Sequence, residues 1–151
     1  MSAPIAETEA ARLSVQSKID EIELRRAARR ERAKEARAAQ YLIDVAAVEE
    51  LEEEYGEDNL VKLSIPLTPG LPVLIVGRKP KASELKRYRA RMKGKNPDPV
   101  AASEELATIV RVYPSAELYA KILEERPGVH VQLGVLSLEL SVAQNETEGK
   151  G

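Results

Sequence analysis

The sequence predicts an α+β fold that is mainly α, with a long N-terminal helix, a β-hairpin and then a small helical bundle. Residues 7–55 contain neither Pro nor Gly and are dense in Ala, Glu, Arg and Leu, which favour helix. Two short apolar runs then flank a Pro-Gly turn, and helical spacing resumes after them. We expect a charged helical extension over 1–58, a hairpin-plus-helix domain over 59–143 and a disordered polar tail over 144–151.

The composition restricts both the core and the chemistry. Hydrophobic residues make up 43% of the chain, but Phe and Trp are absent, so a core must be built from Leu, Ile, Val and Ala. The absence of Cys excludes disulfides, thiolate zinc sites and a cysteine nucleophile, and the single His excludes a site with two imidazoles. No secretory signal and no apolar run of about 18 residues is present. We therefore expect a cytoplasmic protein.

The predicted N-terminal helix changes character along its length. A heptad drawn through Ile19 and Ile22 continues into Arg26, Arg29, Ala33 and Ala36, so a stable coiled coil is not expected there. Further along, five residues at helical spacing predict a face that docks on another element: Tyr41, Val45, Val48, Leu51 and Tyr55. Gly56 is expected to end the helix. The carboxylates from Glu49 to Asp58 lack the spacing of a calcium loop and predict a solvated acidic face.

The hairpin is predicted from two strands and the turn between them. Residues 60–66 partly alternate, and residues 71–77 form an apolar run rich in β-branched side chains. Between them, Pro69 suits a central turn position and Gly70 a following position with positive φ. Because proline has no N–H to donate, Pro66 and Pro72 must lie at strand ends or edges.

The rest of the chain predicts short helices. Leu85, Tyr88 and Met92 share one face of a basic helix over 83–92, and residues 96–99 are expected to form a loop. Helical spacing returns over 103–112, and Ser115 is a good N-cap for the next helix. Residues 129–142 fit both a strand and a helix pattern. We favour helix because of the length of the run and its helical neighbours.

Charge is segregated along the chain. Residues 1–58 have 9 basic and 15 acidic side chains, residues 59–97 have 10 and 1, and residues 98–151 have 4 and 9. The central basic block could bind nucleic acid, but the acidic pI of about 5.6 and the scarcity of stacking aromatics favour a protein-facing or internally paired surface. No phosphate loop, dinucleotide loop, metalloprotease pair or nucleophile elbow is present. We predict no catalytic residues, cofactor or metal, and we expect His130 to be structural or simply exposed.

The central segment resembles the tail assembly chaperones of long-tailed phages and prophages. The resemblance covers residues 59–143 and depends on the order of its motifs: the hairpin over 61–77, the Arg78-Lys79-Pro80 element, and a helix in which Tyr88 is accompanied by Arg87 and Arg89. Val112-Tyr113-Pro114 and residues 124–128 fit the small helical bundle that follows in this family. The long N-terminal helix is a departure from the usual short family member.

The resemblance implies a non-catalytic protein of the host cytoplasm that coats the tape measure protein and helps to recruit tail tube subunits. Contact residues expected from this family and from the sequence are Leu74, Val76, Arg78, Leu85, Tyr88 and Arg89. A plain core position fits Leu74, Val76 and Tyr88 at least as well. The resemblance also implies a longer form made by ribosomal frameshifting, for which Glu148-Gly149-Lys150 could encode a slippery heptamer. Two other classes are open: a structural or scaffolding virion protein that self-associates through the N-terminal helix, and a nucleic-acid-binding regulator that uses residues 78–95.

Overall fold

The fold is mainly α, with one small antiparallel sheet. The computed structural model describes residues 7–142 in full and gives only the helical backbone for residues 2–6 and 143–150. The elements in chain order are α1 (Ser2–Tyr55), β1 (Leu60–Ser64), β2 (Leu74–Arg78), α2 (Ala82–Met92), α3 (Pro99–Val110), β3 (Arg111–Tyr113), α4 (Ala116–Glu125) and α5 (Gly128–Lys150). The predicted α+β class with a long first helix is therefore confirmed. The predicted disorder of 144–151 lies outside the residues described in full.

The chain divides into two compact units, Met1–Ala39 and Gln40–Gly151. This division lies within α1, earlier than the boundary expected at residue 58. The reason is that the last turns of α1 pack on the sheet: Val48 is buried, and Leu51 and Tyr55 pack against the same cluster. Tyr41 was also expected on this docking face, but it is 51% exposed. In unit Met1–Ala39, every side chain from residue 7 onward is exposed.

The hairpin has the predicted turn. β1 pairs antiparallel with β2 from Leu60 opposite Arg78 to Ser64 opposite Leu74. The Leu71 N–H donates to the Thr68 carbonyl at 3.0 Å, which closes a turn with Pro69 and Gly70 at its centre. Gly70 has φ of 81°, a conformation that glycine adopts without strain. Pro66 and Pro72 lie outside both strands, as their missing N–H groups require.

Both faces of β2 are buried, because successive side chains of a strand point to opposite sides. Ile75 belongs to one core cluster, with Leu63, Ala107, Ile122 and Leu133 among its members. Leu74 and Val76 belong to a second cluster, which they share with Val48 of α1. The sheet is thus covered by the end of α1 on one face and by α3, α4 and α5 on the other.

A third strand was missed by the sequence analysis. Helix α3 begins at Pro99, not after it, since the Asp98 side chain accepts from the Ala101 N–H and Pro suits the first helical turn. The helix then ends at Val110, two residues earlier than helical spacing suggested. Residues Arg111–Tyr113 form β3, which pairs antiparallel with β2 across an irregularity at Val76 and Gly77. The strand order is β1-β2-β3.

The C-terminal helices follow the predictions closely. Ser115 caps α4 by accepting from the Leu118 N–H, and residues 129–142 are helical, as favoured. Helices α3 and α5 approach each other very closely at Gly134. A Cβ placed there would lie 2.2 Å from the carbonyl oxygen of Ser103, so only glycine fits without moving a helix.

Candidate binding surface

An ion pair fixes the position of helix α2. The Arg78 guanidinium donates through Nη1 and Nη2 to the two carboxylate oxygens of Glu84, at 2.7 and 2.8 Å. Nη2 also donates to the Ile109 carbonyl at 3.3 Å, and Glu84 Oε1 accepts from the Lys81 N–H at 2.7 Å. One arginine at the end of β2 therefore connects the start of α2 to the end of α3.

The electrostatics of this pair favour both charged forms. The hydrogen bond to Glu84 raises the pKa of Arg78 above its usual range, although burial opposes the shift. The same bond is the largest cause of the lowered pKa of Glu84. Each side chain is only 14% exposed, so solvent screens the pair weakly. The two residues act as one fixed connection, and α2 is held in place from its first turn.

A shallow groove runs between α2 and α3. Its floor is apolar, with Tyr88 from α2 and Leu106 and Ile109 from α3, and Ala102 lies beside them. Arg87 and Arg91 line the rim, and their Nε atoms lie 3.1 and 3.2 Å from the two carboxylate oxygens of Glu105. These arginines are 70% and 51% exposed, so both also face solvent. We call this feature the α2–α3 groove. Its apolar floor and cationic rim suit an amphipathic segment that has acidic flanks.

An open cationic cleft adjoins the start of α2. It has a volume of about 360 Å³ and is lined by Tyr55, Asn59, Arg78, Lys79, Pro80 and Lys81. Because Arg78 lines the cleft and its partner Glu84 lines the α2–α3 groove, the ion pair connects the two features. Lys86 and Arg89 are exposed on the same helix. The whole region is cationic and would attract acidic partners over about a Debye length.

The six predicted contact residues do not share one environment. Leu74 and Val76 are 8% and 0% exposed and belong to the core, which is the alternative that the sequence left open for them. Their position in a strand that is buried on both faces explains this. Arg78 is held by Glu84 and lines the cationic cleft. Leu85 and Tyr88 are half-buried, and Arg89 is exposed. Only the residues of α2 and Arg78 therefore lie together.

A buried carboxylate that the sequence analysis did not single out holds α1 on the sheet. Asp44 is 0% exposed and lies within a helix crowded with acidic residues, so nothing local distinguishes it. Its Oδ2 accepts from the N–H groups of Val73 and Leu74 at 2.8 and 3.1 Å. Its Oδ1 accepts from the Tyr113 hydroxyl at 2.5 Å and from Gln40 Nε2 at 3.1 Å. Burial and this carboxylate raise the pKa of Tyr113 well above its usual range.

His130 forms a polar contact chain with Thr108 and Tyr119. Its Nε2 lies 3.3 Å from the Thr108 hydroxyl, and its Nδ1 lies 2.8 Å from the Tyr119 hydroxyl. The Thr108 hydroxyl already donates its one proton to the Glu104 carbonyl, so it can only accept from His130. This assigns the ring proton to Nε2 and leaves Nδ1 to accept from Tyr119. The histidine is thus not placed to take a proton from Thr108, in keeping with a structural role.

Burial alters the acid–base behaviour of this chain of contacts. It lowers the pKa of His130, with Glu104 opposing, and it raises the pKa of Tyr119 to about 12, with Arg111 opposing. The Arg111 guanidinium lies 5.4 Å from the centre of the Tyr119 ring. His130 is therefore held neutral, and the Tyr119 hydroxyl keeps its proton as a donor.

Comparisons with known proteins give no match to a family model, a curated protein or a solved structure. Within residues 7–142, no group of three or more His, Cys, Asp or Glu side chains could hold a metal ion. Over the same part of the chain, no helix combines the length and the apolar character needed to cross a bilayer.

Proposed function

We propose that the chain is a non-catalytic assembly chaperone that acts on a long helical protein in the host cytoplasm, as the tail assembly chaperones of long-tailed phages do. The proposed partners are the tape measure protein and, during polymerisation, the tail tube subunits. The observation that carries the proposal is the α2–α3 groove, with its apolar floor and arginine rim beside a cationic cleft. The resemblance of residues 59–143 supplies the identity of the partners.

The side chains of the groove are suited to reversible binding of an amphipathic helix. Such a helix can lay its apolar face against the half-buried Tyr88 and Ile109 while acidic residues on its flanks meet Arg87 and Arg91. Exposed charge pairs contribute little net affinity but raise the rate of encounter. A chaperone must release its partner when polymerisation begins. Weak, charge-steered contacts fit that requirement better than a deep apolar pocket.

The test is binding of the purified full-length chain to the tape measure protein that the proposal expects to be encoded beside it, measured by calorimetry at low and moderate salt. Replacing the rim arginines, Arg87→Gln/Arg91→Gln, removes two positive charges without adding a repulsive one. We expect about a fivefold loss of affinity at low salt that shrinks at moderate salt, because exposed charges act mainly on the rate of encounter. The matched control is Lys121→Gln/Arg126→Gln, which removes two exposed positive charges from α4 and the turn after it. We expect that variant to bind within twofold of the wild type.

Two results would contradict the proposal. One is the absence of binding to both the tape measure and tail tube proteins. The other is tighter binding to duplex or single-stranded nucleic acid with a steep salt dependence, which would favour the regulator that uses residues 78–95.

A structural or scaffolding role is the second candidate function. It is favoured by the exposed apolar side chains of residues 7–39, which offer a surface for self-association.

A further inference from the structure

The part of α1 that belongs to unit Met1–Ala39 has two sides of different charge. Successive residues of an α-helix are rotated by about 100°, so the residues that share a side follow from their spacing. Val15, Ile19 and Ile22 form one apolar row and are 55%, 41% and 43% exposed. Within about 60° of this row, residues 15–37 include no acidic side chain. The basic side chains in this sector are Lys18, Arg26, Arg29, Arg30 and Arg37.

The rest of the helix surface carries the acidic side chains. The acidic residues of 15–37, all of which lie outside the sector, are Asp20, Glu21, Glu23, Glu31 and Glu35. Both sets of charged side chains are exposed. We call the basic sector, together with the apolar row at its N-terminal end, the cationic face of α1. It is about 33 Å long, so it is an extended surface and not a pocket.

The cationic face combines the two features of a helix that lies on an anionic bilayer. In such a helix the apolar side chains enter the boundary between headgroups and acyl chains, and Lys and Arg side chains stay at the level of the anionic headgroups. In α1 the apolar row and these basic side chains lie on the same side, and the acidic side chains lie away from it. A helix turned over would bring its carboxylates to the anionic lipids, so only one orientation is favourable.

Other partners fit this face less well. A helical protein, or a second copy of this chain, would need an apolar seam along the whole segment, but the row ends at Ile22 and is followed by Arg26 and Arg29. A nucleic acid would gain from the basic side chains alone and would leave Val15 and Ile19 beside hydrated phosphates. A bilayer surface accommodates both parts of the face, because it requires no register between side chains.

From these observations we propose that the cationic face of α1 binds the surface of a membrane rich in anionic lipids, with the helix axis parallel to the bilayer plane. The helix lies on the membrane and does not span it. Binding is reversible and depends on salt, because most of the attraction is electrostatic. This surface is separate from the α2–α3 groove, and the proposal does not depend on the proposed function.

The binding test is co-sedimentation of the full chain with vesicles of phosphatidylglycerol and phosphatidylcholine, and with vesicles of phosphatidylcholine alone. We expect binding to the anionic vesicles only, and weaker binding as salt is raised. Arg29→Gln/Arg30→Gln, on the cationic face, should weaken binding about tenfold. The matched control is Arg32→Gln/Lys34→Gln, which removes the same charge about 100° to either side of the apolar row. We expect the control to change binding less than about threefold.

The apolar row distinguishes a membrane from a nucleic acid. Ile19→Ser/Ile22→Ser should weaken vesicle binding about tenfold, because two apolar side chains no longer enter the bilayer. Leu13→Ser/Leu24→Ser is the matched control, because both leucines are exposed on the opposite side of the helix. We expect it to bind within about twofold of the wild type. Serine adds no charge, and the two variants lower helix propensity to a similar extent.

Spin labels on single cysteines test the orientation, and the absence of native cysteine makes each label unambiguous. Ala33→Cys lies in line with the apolar row, and Ala28→Cys lies on the opposite side. On anionic vesicles the label at position 33 should lose access to a water-soluble nickel reagent, whereas the label at position 28 should keep it.

Three results would overturn the proposal. The first is a wild-type chain that does not bind the anionic vesicles, whether it stays alone or associates with itself. The second is an equal loss of vesicle binding in the variants of the cationic face and in their controls. The third is tighter binding to a DNA duplex than to the vesicles, unchanged by Ile19→Ser/Ile22→Ser.

Discussion

Residues 7–39 and residues 40–142 contain the same helix-forming side chains, but they bury them very differently. In the first region every side chain is exposed, and the contacts are pairs one helical turn apart, such as Arg25 with Glu21 at 3.5 Å. In the second, the end of α1 closes one face of a sheet that three further helices cover on the other. Sequence propensity is enough to predict a helix in both regions. Only residues 40–142 have the packing that makes a region independently stable.

Two aspartates make this difference measurable. Asp20 and Asp44 each accept from a glutamine four residues earlier, at 3.1 Å in both cases. Asp44 also accepts from two backbone N–H groups and a tyrosine hydroxyl in a buried site. Asp44→Ala leaves these three donors unsatisfied and should lower the free energy of unfolding by about 3–4 kcal/mol. Asp20→Ala should leave the urea midpoint unchanged.

Tyrosine fluorescence is the appropriate probe, because all five tyrosines lie between residues 41 and 119 and thus report only on the second region. Equal midpoints for the two alanine variants would show that Asp44 does not hold α1 on the sheet.

The packing of α3 against α5 in the second region can be tested by a substitution at Gly134. Gly134→Ala would place a methyl group 2.2 Å from the Ser103 carbonyl oxygen, so α3 and α5 must separate. We expect a loss of about 3 kcal/mol, at the upper end of overpacking costs. Gly128→Ala is the control, because a Cβ there meets nothing within 4 Å. Thermal unfolding of both variants checks the prediction, and an unchanged Gly134→Ala variant would mean that the helices are not in close contact.

The two regions also differ in how much an ion pair contributes to stability, as the Arg78–Glu84 and Arg25–Glu21 pairs show. Arg78→Ala removes a pair whose side chains are 14% exposed and should cost about 2 kcal/mol. Arg25→Ala removes a pair whose side chains are 73% and 62% exposed and should cost too little to detect. Because the pKa of Glu84 is lowered on folding, its stabilisation is present above the ordinary value of 4.5 and is lost as pH falls through the folded value.

The acid-induced loss should therefore be shallower in Arg78→Ala than in the wild type. Urea titrations at a series of pH values below neutrality test this. Identical pH profiles for the two proteins would indicate that Arg78 does not lower the pKa of Glu84.

His130 is expected to make the smallest contribution to the pH dependence of stability. Its pKa is lowered on folding, so the unfolded chain binds a proton near the ordinary value of 6.5 before the folded chain does. Stability should accordingly be highest above that pH and should decline as pH falls below it. His130→Gln removes the titration and should flatten the profile between pH 7.5 and about 5.5. A decline of the same steepness in the variant would assign the effect to other groups.

Local sequence signals predicted most of the fold. Features that depend on contacts between residues distant in sequence were not predicted. The hairpin was predictable because Pro69 and Gly70 specify their turn locally. Strand β3 was not, because three residues at the end of a helical stripe carry no alternation of their own. Asp44 could not be distinguished from the other acidic residues of α1. Its buried hydrogen bonds come from donors about thirty and seventy positions away in the sequence. Among the predicted contacts, the apolar strand residues Leu74 and Val76 proved to be core, whereas α2 proved accessible.

The most direct test of this account is hydrogen exchange of the full chain, alone and with the proposed tape measure partner. In the chain alone, amides of residues 7–39 should exchange fast and those of buried β2 and α3 slowly. Adding the partner should protect residues 78–92. Slow exchange of 7–39 in the dilute chain, or a bound partner that leaves α2 unprotected, would contradict it.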